Sequence, residues 1–411
     1  MSYTQQHLFP NGLRFIYLPW NTPVSHAGVF IAAGSRHETA EEQGLAHFIE
    51  HTLFKGTKKR SSAEVLTRLE SVGGELNAYT GREETTVYAS FLTEHSLRAL
   101  ELLSDIVFNA TFPEKELEKE KEVIIDEIDS YLDTPSEQIF DDFEEFLFPN
   151  QPFGANILGT PKKVRSFTQN HVIQFVKKHY VPENMVISYV GKTPFKSVKK
   201  HIEHLFTHQI VPHPSVTVPA QHSEKFEIKS KKPIHQSHCV MGGVSPSLRS
   251  DEGERIAMSL LNNYLGGPAM SSVLNMALRE KNGLTYNNES HYTAYSDTGI
   301  FQIYIGTETK NMDKCLNIIQ KELHKTTAAP CSAAALKRMK QQYCGQIAIA
   351  SDSGLNQMIR LGKSILHTEQ LLEMEELFQK IETTTAEQLL EVATKYLDFD
   401  KLSTLIFTPV K

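Results

Sequence analysis

Two histidines and a glutamate define the chemistry this 411-residue sequence can support: His47, Glu50 and His51 form an HxxEH run. At about 100° per residue, the three side chains share about 100° of one helix face, while Leu45, Phe48, Ile49 and Leu53 fall on the opposite face. Histidines at i and i+4 can bind one zinc ion, and the glutamate beside the second can reach a metal-bound water as general base. A solvated helix face accounts for the same residues without a metal. Catalytic zinc needs a third protein ligand. Residues 114–132 offer one, because Leu117, Glu120, Ile124, Glu127, Ile128 and Tyr131 recur at helical spacing. Two glutamates then lie in a stripe that should face a core, where carboxylates are seldom left unpaired. Alternatively, both flank the stripe and snorkel, as Glu116, Glu118 and Glu122 can on the outer face.

Elements with recognisable periodicity surround these residues. Alternating runs at 13–18 and 24–32 predict strands, and helical patterns cover 43–55 and 62–72. A strand over 76–92 is interrupted near Gly81. Helices follow at 94–108 and 114–132, the second entered at Pro113, where a missing N–H does no harm. Pro212, Pro214 and Pro219 lie among polar residues over 208–222, a linker composition that predicts a domain boundary. The same order then returns: a strand at 238–241, helices at 251–265 and 271–281, strands within 286–307, and helices at 312–326 and 333–350. This is an approximate structural repeat, and it predicts domains at 1–210 and 223–411. Helices 251–265 and 333–350 occupy the positions of the zinc helices but lack HxxEH and paired glutamates, so no zinc is expected in the second domain.

Composition narrows the class. A 40% hydrophobic chain with 42 basic and 49 acidic residues is globular and has no cationic field for nucleic acid. No stretch nears 18 uninterrupted apolar residues, and the start, Met-Ser-Tyr-Thr-Gln-Gln-His, lacks the basic and apolar regions of a signal peptide. No membrane partner is expected. Cys239, Cys315, Cys331 and Cys344 form no CxxC pair, which fits a reducing cytoplasm.

Several motifs in order carry a family resemblance: Gly34-Ser35-Arg36-His37-Glu38, Gly44 through His51, Phe54-Lys55-Gly56-Thr57, Gly73-Gly74-Glu75-Leu76-Asn77-Ala78, Glu120 through Glu127, Ile157-Leu158-Gly159-Thr160 and Asn184-Met185-Val186. The chain resembles the pitrilysin group of zinc peptidases, which includes insulysin and the mitochondrial processing peptidases, and its length matches the processing-peptidase branch and its bacterial homologues. The resemblance implies an α+β fold of two similar domains, each a mainly antiparallel sheet with helices packed on one face. It makes His47, His51 and Glu127 the ligands of one Zn2+ per chain, Glu50 the base, and Glu120 an acid that orients a ligand or tunes the bound water. Asn77, Ala78 and Thr80 resemble the edge strand to which an extended substrate adds, although an ordinary hairpin strand shows the same alternation. Arg279 and Tyr286 resemble a pair, seven apart, that closes on the substrate from the second domain; without the resemblance Arg279 is a surface charge. Two departures, Ala155-Asn156 before Ile157 and Val273 after Ser271-Ser272, bear on substrate preference rather than on the metal set.

The leading expectation is a zinc endopeptidase acting on unfolded peptides or leader segments in a closed chamber, as a homodimer or a heterodimer with a related subunit. An alternative keeps the fold but drops turnover, giving a peptide-binding or assembly subunit. The intact metal set weighs against it. A third HxxEH enzyme, the S-ribosylhomocysteine lyase, is far shorter and needs a catalytic cysteine near the metal. The first domain has no cysteine.

Overall fold

The computed structural model describes residues 4–206 and 218–410. In chain order the first half contains β1 (Gln5–Leu8), β2 (Arg14–Pro19), β3 (Val24–Ile31), α1 (Leu45–Thr52), α2 (Ser62–Glu70), β4 (Glu75–Thr80), β5 (Thr85–Leu92), α3 (Ser96–Asn109), α4 (Glu114–Leu132), α5 (Pro135–Leu147), α6 (Pro161–Ser166), α7 (Gln169–His179), β6 (Met185–Gly191) and α8 (Phe195–Phe206). The second contains β7 (Glu227–Lys232), β8 (Ser237–Ser245), α9 (Glu252–Gly266), β9 (Thr285–Ala294), β10 (Gly299–Thr307), α10 (Met312–Ala328), α11 (Ala333–Ser351), α12 (Gly354–Thr368), α13 (Met374–Thr383), α14 (Ala386–Tyr396) and β11 (Ser403–Pro409). None of these helices is long and apolar enough to cross a membrane.

Two sheets result, in orders β1-β2-β6-β3-β5-β4 and β7-β11-β8-β10-β9. Apart from β1 they share one topology, with β2 matching β7, β3 matching β8, β4 matching β9, β5 matching β10 and β6 matching β11. Each has a single parallel pair, β2 with β6 and β7 with β11, and is otherwise antiparallel. The repeat legible in the sequence is thus a repeat of sheet order. Residues alternate across a strand, so Phe15, Tyr17, Val29, Ile31, Ile187 and Tyr189 join the first core with α1, α2, α3 and α8.

The α+β class and mainly antiparallel sheets stand, but each sheet also carries one helix on its second face. On the first sheet, Ile16, Leu18, Phe30, Val186 and Val190 are covered by Met358, Leu361, Ile365 and Leu366 of α12. On the second sheet α5 takes this place, where Phe140 stacks near Tyr304 and Glu144 accepts from Gln302. Two compact units therefore form from interleaved pieces: Met1–Asp129, Gln151–Val218 and Ile349–Leu371 make one, and Ser130–Asn150, Pro219–Ala348 and Leu372–Lys411 the other. This packing departs from contiguous domains at 1–210 and 223–411, because the apolar stripes of α5 and α12 bury against the sheet built by the other half of the sequence. Most of the expected linker at 208–222 lies outside the described residues.

Candidate metal centre

Helix α1 is short, and two features outside it fix its start. Gly44, its N-cap, has φ +92° and no side chain with which to cap; a Cβ there would lie 2.8 Å from Gly159 Cα and from the Leu158 carbonyl oxygen. Gly159 is equally confined, since its own Cβ would lie 2.6 Å from the Gln43 carbonyl oxygen. The two glycines pass back to back, which explains physically why the Leu158-Gly159 motif accompanies the HxxEH run. The first N–H groups of α1 are satisfied from a distance: the buried Glu38 carboxylate accepts from Gly44 N–H at 2.9 Å and Ala46 N–H at 2.7 Å. Leu45, Phe48, Ile49 and Leu53 are fully buried, as the helical arithmetic requires.

The opposite face holds the polar group. His47 Nε2 lies 3.7 Å and His51 Nε2 3.3 Å from the same oxygen, Glu127 Oε2. Zinc bonds of about 2.0–2.1 Å in a tetrahedron set ligand atoms roughly 3.4 Å apart, so this donor set fits zinc. Among the described residues it is the one His/Cys/Asp/Glu group of metal-binding spacing. Burial, with His51 alongside, lowers the His47 pKa to about 3, so this ring is neutral and free to donate a lone pair. Burial also opposes protonation of His51, but hydrogen bonding to Glu120 and the charges of Glu127 and Glu50 outweigh it and raise its pKa.

On α4, Glu120 is buried with the core stripe of Leu117, Ile124 and Ile128, whereas Glu127 is half exposed at its margin. Tyr131 leaves the stripe and donates to Asp141 at 2.7 Å. Glu120 does not snorkel. One of its oxygens meets His51 Nδ1 at 3.1 Å and the other meets Lys55 Nζ at 2.6 Å. Burial favours its neutral form, yet His51 and Lys55 together pull the carboxyl below its usual range. Lys55 belongs to the Phe54-Lys55-Gly56-Thr57 motif and lies just past the end of α1, so helical spacing does not announce its contact with Glu120. Glu38 was likewise a motif letter, and no local spacing announced its contacts.

Glu50 shares this face of α1. Burial raises its pKa, Thr80 N–H and hydroxyl and the charge of His51 work the other way, and Glu127 pushes it up again. Thr80 ends β4, which also carries Asn77 and Ala78 and, among the described residues, pairs only with β5, so β4 is a sheet edge. Beyond Thr80, Arg36 and Glu83 form a buried ion pair at 2.5 Å, and Arg82 donates to the carbonyls of Phe153 and Ala155.

In the second unit, the expected helix over 271–281 winds as a π-helix at Asn275–Glu280, a rare form frequent at functional sites. Arg279 lies in it. Tyr286 is the second residue of β9 and is 88% exposed, and both residues line an open cavity of 740 Å³.

The profile of the Insulinase family (Peptidase family M16) matches residues 17–161, and that of the Peptidase M16 inactive domain matches residues 166–343. An uncharacterized zinc protease of Bacillus subtilis is 33% identical over 399 residues, covering 96% of each chain. The mitochondrial-processing peptidase subunit beta of Saccharomyces cerevisiae is 29% identical, over 94% of this chain and 86% of the yeast protein. In fold, the crystal structure of a protease from Helicobacter pylori superposes with a TM-score of 0.91 at 20% identity, covering both chains fully.

Proposed function

Because the chain belongs to the insulinase family of peptidases, M16, we propose that it is a zinc metalloendopeptidase acting on unfolded peptides or leader segments. One observation carries the reading: three donor atoms at tetrahedral spacing, with a separate carboxylate, Glu50, adjacent to the second ligand. Zinc held by His47, His51 and Glu127 would polarise a water molecule and the scissile carbonyl.

The chain's own groups do the rest. Glu50 takes the proton from the attacking water and later returns it to the amine nitrogen as the C–N bond breaks. Its raised pKa brings it nearer the range where it can do both. Glu120 and Lys55 hold the His51 ring. An extended substrate adds to the free side of β4 at Asn77, Ala78 and Thr80, where main-chain pairing is sequence-tolerant. Arg279 and Tyr286, whose donors are exposed, act on the same substrate at the developing oxyanion.

The name of the yeast relative, a subunit beta, supports pairing with a second chain, either a copy or a related subunit. Cys239 and Cys315, buried as free thiols, fit a reducing cytoplasm. The deciding experiment is cleavage of an unstructured peptide library with and without chelator. Loss on chelation and recovery with stoichiometric zinc are expected; undiminished cleavage by metal-free protein would overturn the reading.

A further inference from the structure

A second polar cluster lies in the same unit as the metal ligands, on the turn between β4 and β5. Glu84 is buried there, yet it is charged: burial pushes its carboxyl up, and His367 and Lys363 more than reverse this, to about 2. Lys363 Nζ lies 2.5 Å from Glu84 Oε1, and His367 Nε2 lies 3.1 Å from Glu84 Oε2. The same ammonium stands 5.1 Å above the centre of the Tyr79 ring. Lys363 therefore bridges the hairpin from Tyr79 on β4 to Glu84 just before β5, with residues 80–83 between its two contacts.

Both partners of Glu84 come from α12, some 280 positions later in the sequence. Its apolar face fixes them. Met358, Leu361, Ile365 and Leu366 seat the helix on the first sheet, and Gly362 lets it lie close to Phe30, since a Cβ would be 2.2 Å from that ring. Helical spacing then puts Lys363 and His367, at i and i+4, on one flank facing the turn.

We propose that Lys363 is a positioning residue for the metal centre: by holding Glu84 and Tyr79 it fixes the end of β4, the strand that packs beside the helix α1 that carries Glu50. The consequence for turnover rests on the peptidase reading; the consequence for the hairpin does not. A buried carboxylate stripped of its ammonium partner relaxes toward water, and Thr80 moves with the turn. Displacements of about 1 Å at a reacting group cost up to about 10²-fold in rate. Zinc ligation should be untouched, because His47 and His51 meet Glu127, and His51 meets Glu120, and neither glutamate lies on the turn.

The test uses the full-length protein and three variants, Lys363→Met, Lys363→Arg and Glu84→Gln. Amide hydrogen exchange over 75–80 should quicken about 10-fold in Lys363→Met and return to within about 3-fold of wild type in Lys363→Arg. On an unstructured peptide, kcat should fall about 10-fold with zinc content unchanged, and Lys363→Arg should restore it. Glu84→Gln, which removes the same contact from the hairpin side, should reproduce both effects and carries the test should Lys363→Met fail to fold. Unchanged exchange over 75–80 would overturn the proposal, as would a kcat loss that tracks lost zinc or that Lys363→Arg leaves unrepaired. A zinc-loaded wild type that cleaves no peptide would refute the peptidase reading instead, and the exchange data would still decide the role of Lys363.

Discussion

The Nδ1 atom of His51 lies 3.1 Å from Glu120 Oε1, so this imidazole is held from behind while its Nε2 faces Glu127. The two glutamates of α4, one heptad apart, thus have different duties. Glu127→Gln should abolish stoichiometric zinc binding, whereas Glu120→Gln should weaken it by about 10 to 100-fold. Elemental analysis with chelator competition checks the order, and the reverse ranking would refute the ligand assignment.

Glu50 is near the donor atoms without being one of them. Glu50→Gln should retain zinc and lose nearly all turnover, because the amide cannot take a proton. Steady-state kinetics beside metal analysis will show it; wild-type kcat would move the base elsewhere.

Protons compete with zinc at His51. Its pKa is raised above the usual 6.5, so below that raised value zinc must displace a proton, and affinity should fall about tenfold per pH unit. Above it the dependence on this group vanishes. Since Glu120 is the leading cause of the rise, Glu120→Gln should shift the break to lower pH. Zinc affinity measured across about pH 5 to 8 tests this, and a break that stays put in the variant would show that Glu120 does not tune the ring.

Gly362 exchanges helix propensity for close approach. Gly362→Ala should gain about 1 kcal/mol of helix preference yet lose more by overpacking against Phe30, for a net destabilisation of about 1–2 kcal/mol. Chemical denaturation reads the sign; a stabilised variant would mean that α12 shifts freely on the sheet.

Tyr286→Phe should lower kcat by about 10 to 10³-fold while zinc content stays at wild type, as expected for one lost oxyanion donor. Peptide kinetics and metal analysis are measured together. An unchanged kcat would remove Tyr286 from the reaction.

Legibility followed locality. Helix α4 was readable from residue 114 to residue 132 because Pro113 and an amphipathic stripe lie within one segment. The faces of α1 followed from helical arithmetic alone. Strand β6 was not readable: all seven of its residues are buried, so it lacks the alternation that marks a strand. The apolar stripe of α12 was present, but nothing local said which sheet it would cover, and Gly354 and Gly362 weakened the pattern. The contacts of Glu38 and of Lys363 could not be inferred, since each depends on a loop or helix brought near only by the finished fold. Glu120 was legible as an anomaly, a carboxylate in an apolar stripe, and its partners supplied the explanation.

The interleaving of the two units bears on how the molecule can be made. A nascent chain that has emerged through residue 210 carries every metal ligand but not α12, so Ile16, Phe30 and Val190 have nothing to cover them. The metal-bearing half must wait, with an uncovered apolar sheet face, until residue 368 has left the ribosome, a delay of about 8–30 seconds at 5–20 residues per second. During that interval the half-made sheet is a ready surface for aggregation or for a chaperone. A gene fragment cut at the linker would remain in that state permanently.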